Sequence, residues 1–297
     1  MTQNVDSKRS KSKLKMMLEE TCPCGSTDYR IIFKGVSRTT GKKYEIVQCK
    51  RCELALFWPP PYSQDNFMDF YQKEDDLRNR TSQIELWRKF SLSSLCRLKK
   101  IKESGRLLDV GCNFGSLVFL ANNLGFDAQG IDIDRKAIEY GQKKFSLENK
   151  IYVQDLYHAN FPVESFDVIT MIHVLEHILE LDRFLRETFG ILKKRGIILI
   201  ETPNLDSLWF KLLKEKWYGL VPEEHVWIFT PKSLTNILKR NSFDIIKIDR
   251  TRNMYHQLGF NLKSIFRACL LVAARILKQG DNLVFFGIKN SLGNWEK

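Results

Sequence analysis

The sequence predicts an α/β protein: a seven-stranded, mostly parallel sheet with helices on both faces, preceded by a small cysteine-bearing module. Three observations carry that prediction. From about residue 106 onwards, short apolar runs alternate with amphipathic helical runs, a pattern that places crossover helices between parallel strands. The first apolar run leads directly into a glycine turn and a helix start. Ahead of the alternation, four of the seven cysteines stand in two close pairs.

Taken in order, residues 1–18 lack apolar periodicity and read as a flexible basic tail. Residues 19–62 hold the cysteine pairs and strand-like runs at 29–33 and 44–48. They close on Trp58-Pro59-Pro60-Pro61, which continues neither strand nor helix. Residues 63–104 read as a helical connector, with Trp87, Phe90, Leu95 and Leu98 turned towards a core. The large unit is expected over 105–297. Its strands are expected at 106–110, 127–132, 150–154, 166–172, 196–201, 243–249 and 283–288, and its helices near 115–124, 135–145, 181–192 and 231–240.

A hydrophobic content of 43% supports a sizeable core and excludes a disordered chain. No apolar run approaches the roughly 20 residues that span a bilayer. The Lys/Ser-rich N-terminus has no apolar stretch behind it, which argues against a secretory signal. Together with cysteines that do not form a disulfide framework, this predicts a reducing, cytoplasmic setting. The net charge of +12 is uneven: residues 1–16 contribute +4 and residues 250–297 contribute +6. Basic ends make a nucleic-acid partner less expected than basic residues spread around a site would.

The strand Leu107, Leu108, Val110 runs into Gly111-Cys112-Asn113-Phe114-Gly115, and Leu117–Leu120 begin a helix. A glycine turn against a helix N-terminus admits a nucleotide-like ligand close to the backbone. Twenty-one residues after Gly111 a second strand ends in Asp132, an acid placed to accept from two ribose hydroxyls. The third glycine of a dinucleotide turn is missing. Cys22-Pro23-Cys24 and Cys49-Lys50-Arg51-Cys52 are two thiol pairs on turns that can converge on tetrahedral zinc, although the first pair is tighter than the usual C-x₂-C.

In this turn, and in Phe166-Asp167-Val168-Ile169-Thr170, Leu175-Glu176-His177, Ile191-Leu192-Lys193-x-x-Gly196 and Glu201-Thr202-Pro203-Asn204, the chain resembles the class I S-adenosylmethionine (SAM) methyltransferases over roughly 105–250. The family often has glycine where Asn113 stands. The resemblance implies a Rossmann-like sheet whose last strand is antiparallel and inserted. It also implies that Asp109, Gly111 and Gly115 surround the methionine part of SAM, that Asp132 holds the ribose, and that Ile133 lies against the adenine. Asp155 would accept from the adenine amino group, and His173 would face the sulfonium. The cysteine module is similar to a small N-terminal zinc-binding domain found on some of these enzymes, sugar methyltransferases among them.

A hydroxyl acceptor needs its proton removed, and histidine suits that near neutrality. The segment Pro222–Pro231 resembles the Glu-His-x-x-x-Phe-Ser/Thr-Pro pattern of sugar and other small-molecule methyltransferases. That implies His225 as base with Glu224 orienting it, and His177 as a second candidate. Tyr71 and Tyr218 are weaker candidates for contact with the acceptor. Residues 262–278 form an amphipathic helical pattern with a basic face, suited either to peripheral contact with a membrane or to packing on the core or a second subunit. The first expectation is O-methylation of a sugar in nucleotide-sugar or surface-glycan biosynthesis. Sugar C-methylation and quinone or lipid O-methylation stand beside it. RNA methylation is less expected, because Thr202-Pro203-Asn204 lacks the Asn-Pro-Pro-Tyr type of motif. A SAM-binding regulator without catalysis is the least expected.

Overall fold

The computed structural model describes residues 22–60, 77–251 and 280–290. The expected basic tail, Tyr71 and the 262–278 helix lie outside the described residues.

The described residues open with strands β1 (Tyr29–Val36), β2 (Lys43–Cys49) and β3 (Ala55–Trp58). Helices α1 (Leu77–Ser82) and α2 (Ile84–Leu98) follow. The alternating region then runs β4 (Gly105–Val110), α3 (Ser116–Asn123), β5 (Phe126–Asp132), α4 (Arg135–Phe145), β6 (Ile151–Val153), β7 (Phe166–Ile172), α5 (Leu181–Ile191) and β8 (Leu192–Pro203). After β8 come α6 (Leu208–Leu213), β9 (Trp227–Ile228), α7 (Pro231–Arg240), β10 (Phe243–Thr251) and β11 (Asn282–Lys289).

The large sheet has seven strands in the order β10-β11-β8-β7-β4-β5-β6. Strands β4 to β8 pair in parallel, and β11 is antiparallel to both of its neighbours. One face packs against α5 and α7 through Phe184, Leu185, Leu234 and Ile237. The other packs against α2, α3 and α4 through Leu95, Leu98, Val118 and Ile138. Helix starts follow their capping residues. Asp134 accepts from the Ala137 N–H at the head of α4, and Thr230 and Ser233 make a reciprocal capping box ahead of Pro231.

The sequence pattern did not predict β3, α6 or β9. Strand β3 reads Ala-Leu-Phe-Trp, an unalternating apolar run between a cysteine turn and prolines, and β9 has only two residues. Long-range pairing makes both of them strands. The second sheet is β1-β2-β3-β9, so the segment between β8 and α7 supplies the last strand of the cysteine-bearing module. Phe57 N–H donates to Val226 O at 3.0 Å, and Lys232 pairs with Glu53 at 2.7 Å. Glu223 accepts from Ser37 and Thr40. Val47, Cys49, Leu54 and Leu56 share one apolar cluster with Ile169 and Phe184 of the large unit.

Candidate active site

The turn after β4 is held in left-handed backbone at Gly111 (φ 72°), Asn113 (φ 51°) and Gly115 (φ 73°). Asparagine tolerates that region better than most residues, so Asn113 serves where glycine is common. A Cβ on Gly111 would lie 2.4 Å from Val174 Cγ2, and one on Gly115 would lie 2.8 Å from Leu147 Cδ1. The Gly111 and Cys112 N–H groups both donate to Ile131 O, which fastens the turn to the end of β5.

Two acids flank the turn. Asp132 Oδ2 accepts from Asn113 N–H at 2.7 Å and Oδ1 from Asp134 N–H at 2.9 Å, leaving a further lone pair on each oxygen for a ligand. Burial pushes its pKa up. Asp109 is buried within the sheet, where Thr170 Oγ1 donates to its Oδ1 at 2.6 Å. Burial outweighs that hydrogen bond and pushes the Asp109 carboxyl up to about 7. Two carboxyls made weaker acids by burial beside a glycine turn suit a ligand that brings hydroxyls and a cation. Ile133 is half-buried directly after Asp132. Asp155 follows β6 and takes the His158 ring Nδ1 at 2.8 Å and the His158 N–H at 3.0 Å.

A second group of residues gathers beyond β7. His173 has φ 55°, and its N–H donates to Glu201 O at 2.9 Å. Its Nδ1 lies 3.0 Å from Glu176 Oε1. Burial disfavours charge on His173, but the hydrogen bond to Glu176 and the attraction of Glu176, Glu201 and Asp281 together outweigh it, and the net shift is upward. Glu176 is fully buried; burial favours its neutral form, yet the bond with His173 and the attraction of the surrounding histidine rings together prevail and hold it at about 2. His173 also lines a shallow cleft that is open to solvent. Trp87, Phe90, Ser94, Arg97 and Glu201 form other walls. Ser94 and Asn282 both donate to Glu201, whose pKa burial raises.

His177 and His225 meet edge to face, with ring centroids 4.9 Å apart. Burial, reinforced by His177, pushes His225 down to about 3, so it is neutral. The expected pairing of Glu224 with His225 differs from the geometry. Glu224 is exposed, and its main-chain carbonyl receives His177 Nδ1 at 2.9 Å; His225 Nδ1 instead meets Gly219 O at 3.1 Å. The reason is a tight turn in which the Glu224 and His225 N–H groups both donate to Val221 O. The carboxylate beneath the two rings is Glu176. Tyr218 donates its hydroxyl to Asp281 O at 3.0 Å.

The four thiols of Cys22, Cys24, Cys49 and Cys52 converge. Sulfur separations are 3.2 Å for Cys22–Cys24 and 3.6 Å for Cys22–Cys52 and Cys24–Cys49. Four sulfurs at Zn–S bonds of ~2.3 Å stand about 3.8 Å apart, so this donor set fits a tetrahedral thiophilic ion with little movement.

Arg80 has no motif to announce it. From α1 it reaches Asp134 Oδ2 at 2.5 Å and Asn113 Oδ1 at 3.0 Å, tying the glycine turn to the segment after Asp132. Thr170 and Glu201 stand within motif segments, but their partners, Asp109 for Thr170 and Ser94 with Asn282 for Glu201, lie far off in sequence.

Residues 80–248 match the methyltransferase domain family, more than half of the chain. Among curated proteins the chain is similar to the ubiquinone biosynthesis O-methyltransferase of Pelagibacter ubique, at 30% identity over 51% of this chain and 65% of that protein. It is also similar to the mitochondrial ubiquinone biosynthesis O-methyltransferase of Bos taurus, at 29% identity over 47% of this chain and 41% of that one. The matched region thus spans less than two thirds of either relative. The demethylmenaquinone methyltransferase of Lactobacillus johnsonii is 25% identical over 69% of this chain and 83% of that protein. Two solved SAM-dependent methyltransferases share the fold. That of Thermotoga maritima has a TM-score of 0.54 at 18% identity, covering 75% of this chain and 100% of that one. That of Archaeoglobus fulgidus has a TM-score of 0.53 at 22% identity, covering 68% and 94%. With the inserted antiparallel last strand and the glycine turn already in place, the chain belongs to the class I SAM-dependent methyltransferase family.

Proposed function

We propose that the chain methylates an oxygen of a small ring-bearing acceptor of the quinol class, with SAM as donor. The cleft beside His173, walled by Trp87 and Phe90, carries this reading. Aromatic walls favour a planar apolar ring over a sugar. The relatives named for ubiquinone and menaquinone methylation favour the same class. The sugar expectation rested on likeness in the 222–231 segment and the cysteine module alone.

When bound, SAM supplies a methyl carbon already activated on a sulfonium, so the protein's work is alignment and exclusion of water. In this reading Asp132 holds the ribose hydroxyls, Ile133 and Asp155 the adenine, and Asp109 with Gly111 and Gly115 the methionine part. His173 takes the acceptor's hydroxyl proton, with its ring fixed by Glu176. His225 is too deeply buried and too weak a base to share that role. Incubation with labelled SAM against demethylated quinols, nucleotide-sugars and RNA tests the reading. Label is expected in the quinol pool. Label only in nucleotide-sugars or RNA overturns the acceptor class, and binding of NADH in place of SAM overturns the donor.

Asp109 gives this reading a proton signature. A cationic amino group beside a carboxyl that titrates at about 7 lowers its pKa, so SAM uptake expels protons in the window from about pH 7 down to the lowered value, and none well above it. Calorimetry in buffers of unlike ionisation enthalpy should show that dependence in that window only. Asp109→Asn should abolish it.

We further propose that Cys22, Cys24, Cys49 and Cys52 hold a structural zinc ion, since four protein thiolates leave no open position for chemistry. Cys49→Ser should lose that ion and lower Tm by about 10 °C. Metal analysis with differential scanning calorimetry checks both.

A further inference from the structure

We infer that Glu176, His177 and His225 form a second metal site, for a first-row divalent cation, separate from the cysteine cluster. The inference does not depend on which acceptor is methylated. The three residues come from two segments far apart in sequence, yet one donor atom from each lies within 4.8 Å of the others. Val226 N–H donates to Glu176 O at 2.8 Å, so main chain, rather than flexible side chains, sets the spacing.

Two features favour a cation over simple packing. Each ring places Nδ1 on a main-chain carbonyl: Glu224 O for His177 at 2.9 Å and Gly219 O for His225 at 3.1 Å. A proton held on Nδ1 by a carbonyl leaves the lone pair on Nε2, the tautomer and orientation that outer-shell carbonyls impose on metal-bound histidine. Second, Glu176 is fully buried, with Oε1 engaged by His173 and Oε2 lacking any hydrogen-bond partner. A carboxylate oxygen left without a partner is strongly unfavourable in a protein interior. Edge-to-face packing accounts for two rings in contact, but not for an ionic oxygen left bare against them.

The donor set names the class of ion. Two imidazoles and one carboxylate suit Zn²⁺, Fe²⁺, Co²⁺ or Mn²⁺. Three protein ligands leave open coordination positions, unlike the closed set of four thiols. The site lies one hydrogen bond, through Glu176, from the His173 that lines the cleft. His225 would then serve as a ligand rather than a base.

Full-length protein carrying one equivalent of zinc is titrated with Co²⁺, without SAM or acceptor. A second equivalent is expected, with weak visible d–d bands and no thiolate charge-transfer band. Glu176→Gln and His225→Ala, checked for native melting, should weaken it at least about tenfold and leave the first equivalent in place. Cobalt-edge X-ray absorption on the unaltered protein covers the case in which a variant misfolds; it should show imidazole scattering and no sulfur shell. Failure to bind a second equivalent, a sulfur shell, or unchanged affinity in both folded variants overturns the site. None of these readouts involves methyl transfer, so their failure leaves the proposed reaction standing.

Discussion

His173→Asn is expected to lower kcat by about 10²–10⁴-fold, the range that a positioned general base supplies. The affinity for SAM should change little. His173 sits at the mouth of β7 in left-handed backbone, with its N–H on Glu201 O and its Nδ1 on Glu176. That leaves the other ring nitrogen as proton acceptor for a molecule in the cleft. Asparagine is the right probe. It tolerates the same φ and can still donate to Glu176, so the fold is spared while the basic nitrogen is removed. Steady-state kinetics with saturating donor, alongside calorimetric SAM binding, separate the effects. Full activity in the folded variant would remove His173 from the chemistry.

Asp132→Ala is expected to weaken SAM binding by at least about a hundredfold. Hydrogen bonds to a charged acceptor contribute about 1.5–3 kcal/mol each, and two ribose hydroxyls would be lost. The same carboxylate accepts from Asn113 and Asp134, so its removal also slackens the turn that Arg80 clamps. Asp132→Asn retains one oxygen for those N–H groups and should bind SAM better than the alanine variant. Affinity within about threefold of the unaltered protein would dissociate Asp132 from the ribose.

The central fold was legible because its elements advertise themselves locally. Phe166–Ile172 is a buried apolar run, the 111–115 turn has its glycines, and Asp134 and Thr230 stand at helix starts. Strand β9 was not legible, because two residues carry no period and only pairing with Ala55 and Leu56 makes them a strand. The same limit applies to the histidines. The adjacency of Glu224 and His225 in sequence suggested that one orients the other, whereas the His225 ring Nδ1 meets Gly219 O. A reverse turn exposes Glu224, while the backbone link from Val226 to Glu176 brings His225 over a carboxylate dozens of residues away. Side-chain partners across strands, such as Asp109 with Thr170, follow from sheet register, which no local window contains.

The position of β11 constrains how the polypeptide emerges from the ribosome. It is the last described strand, yet it lies between β8 and β10 and hydrogen-bonds to both. Until it is synthesised, the buried strand β8 and the more polar β10 face an unfilled slot, each with a bare edge open to pairing with another nascent chain. Release of a product ending before residue 282 should therefore yield aggregate rather than a shortened but soluble domain.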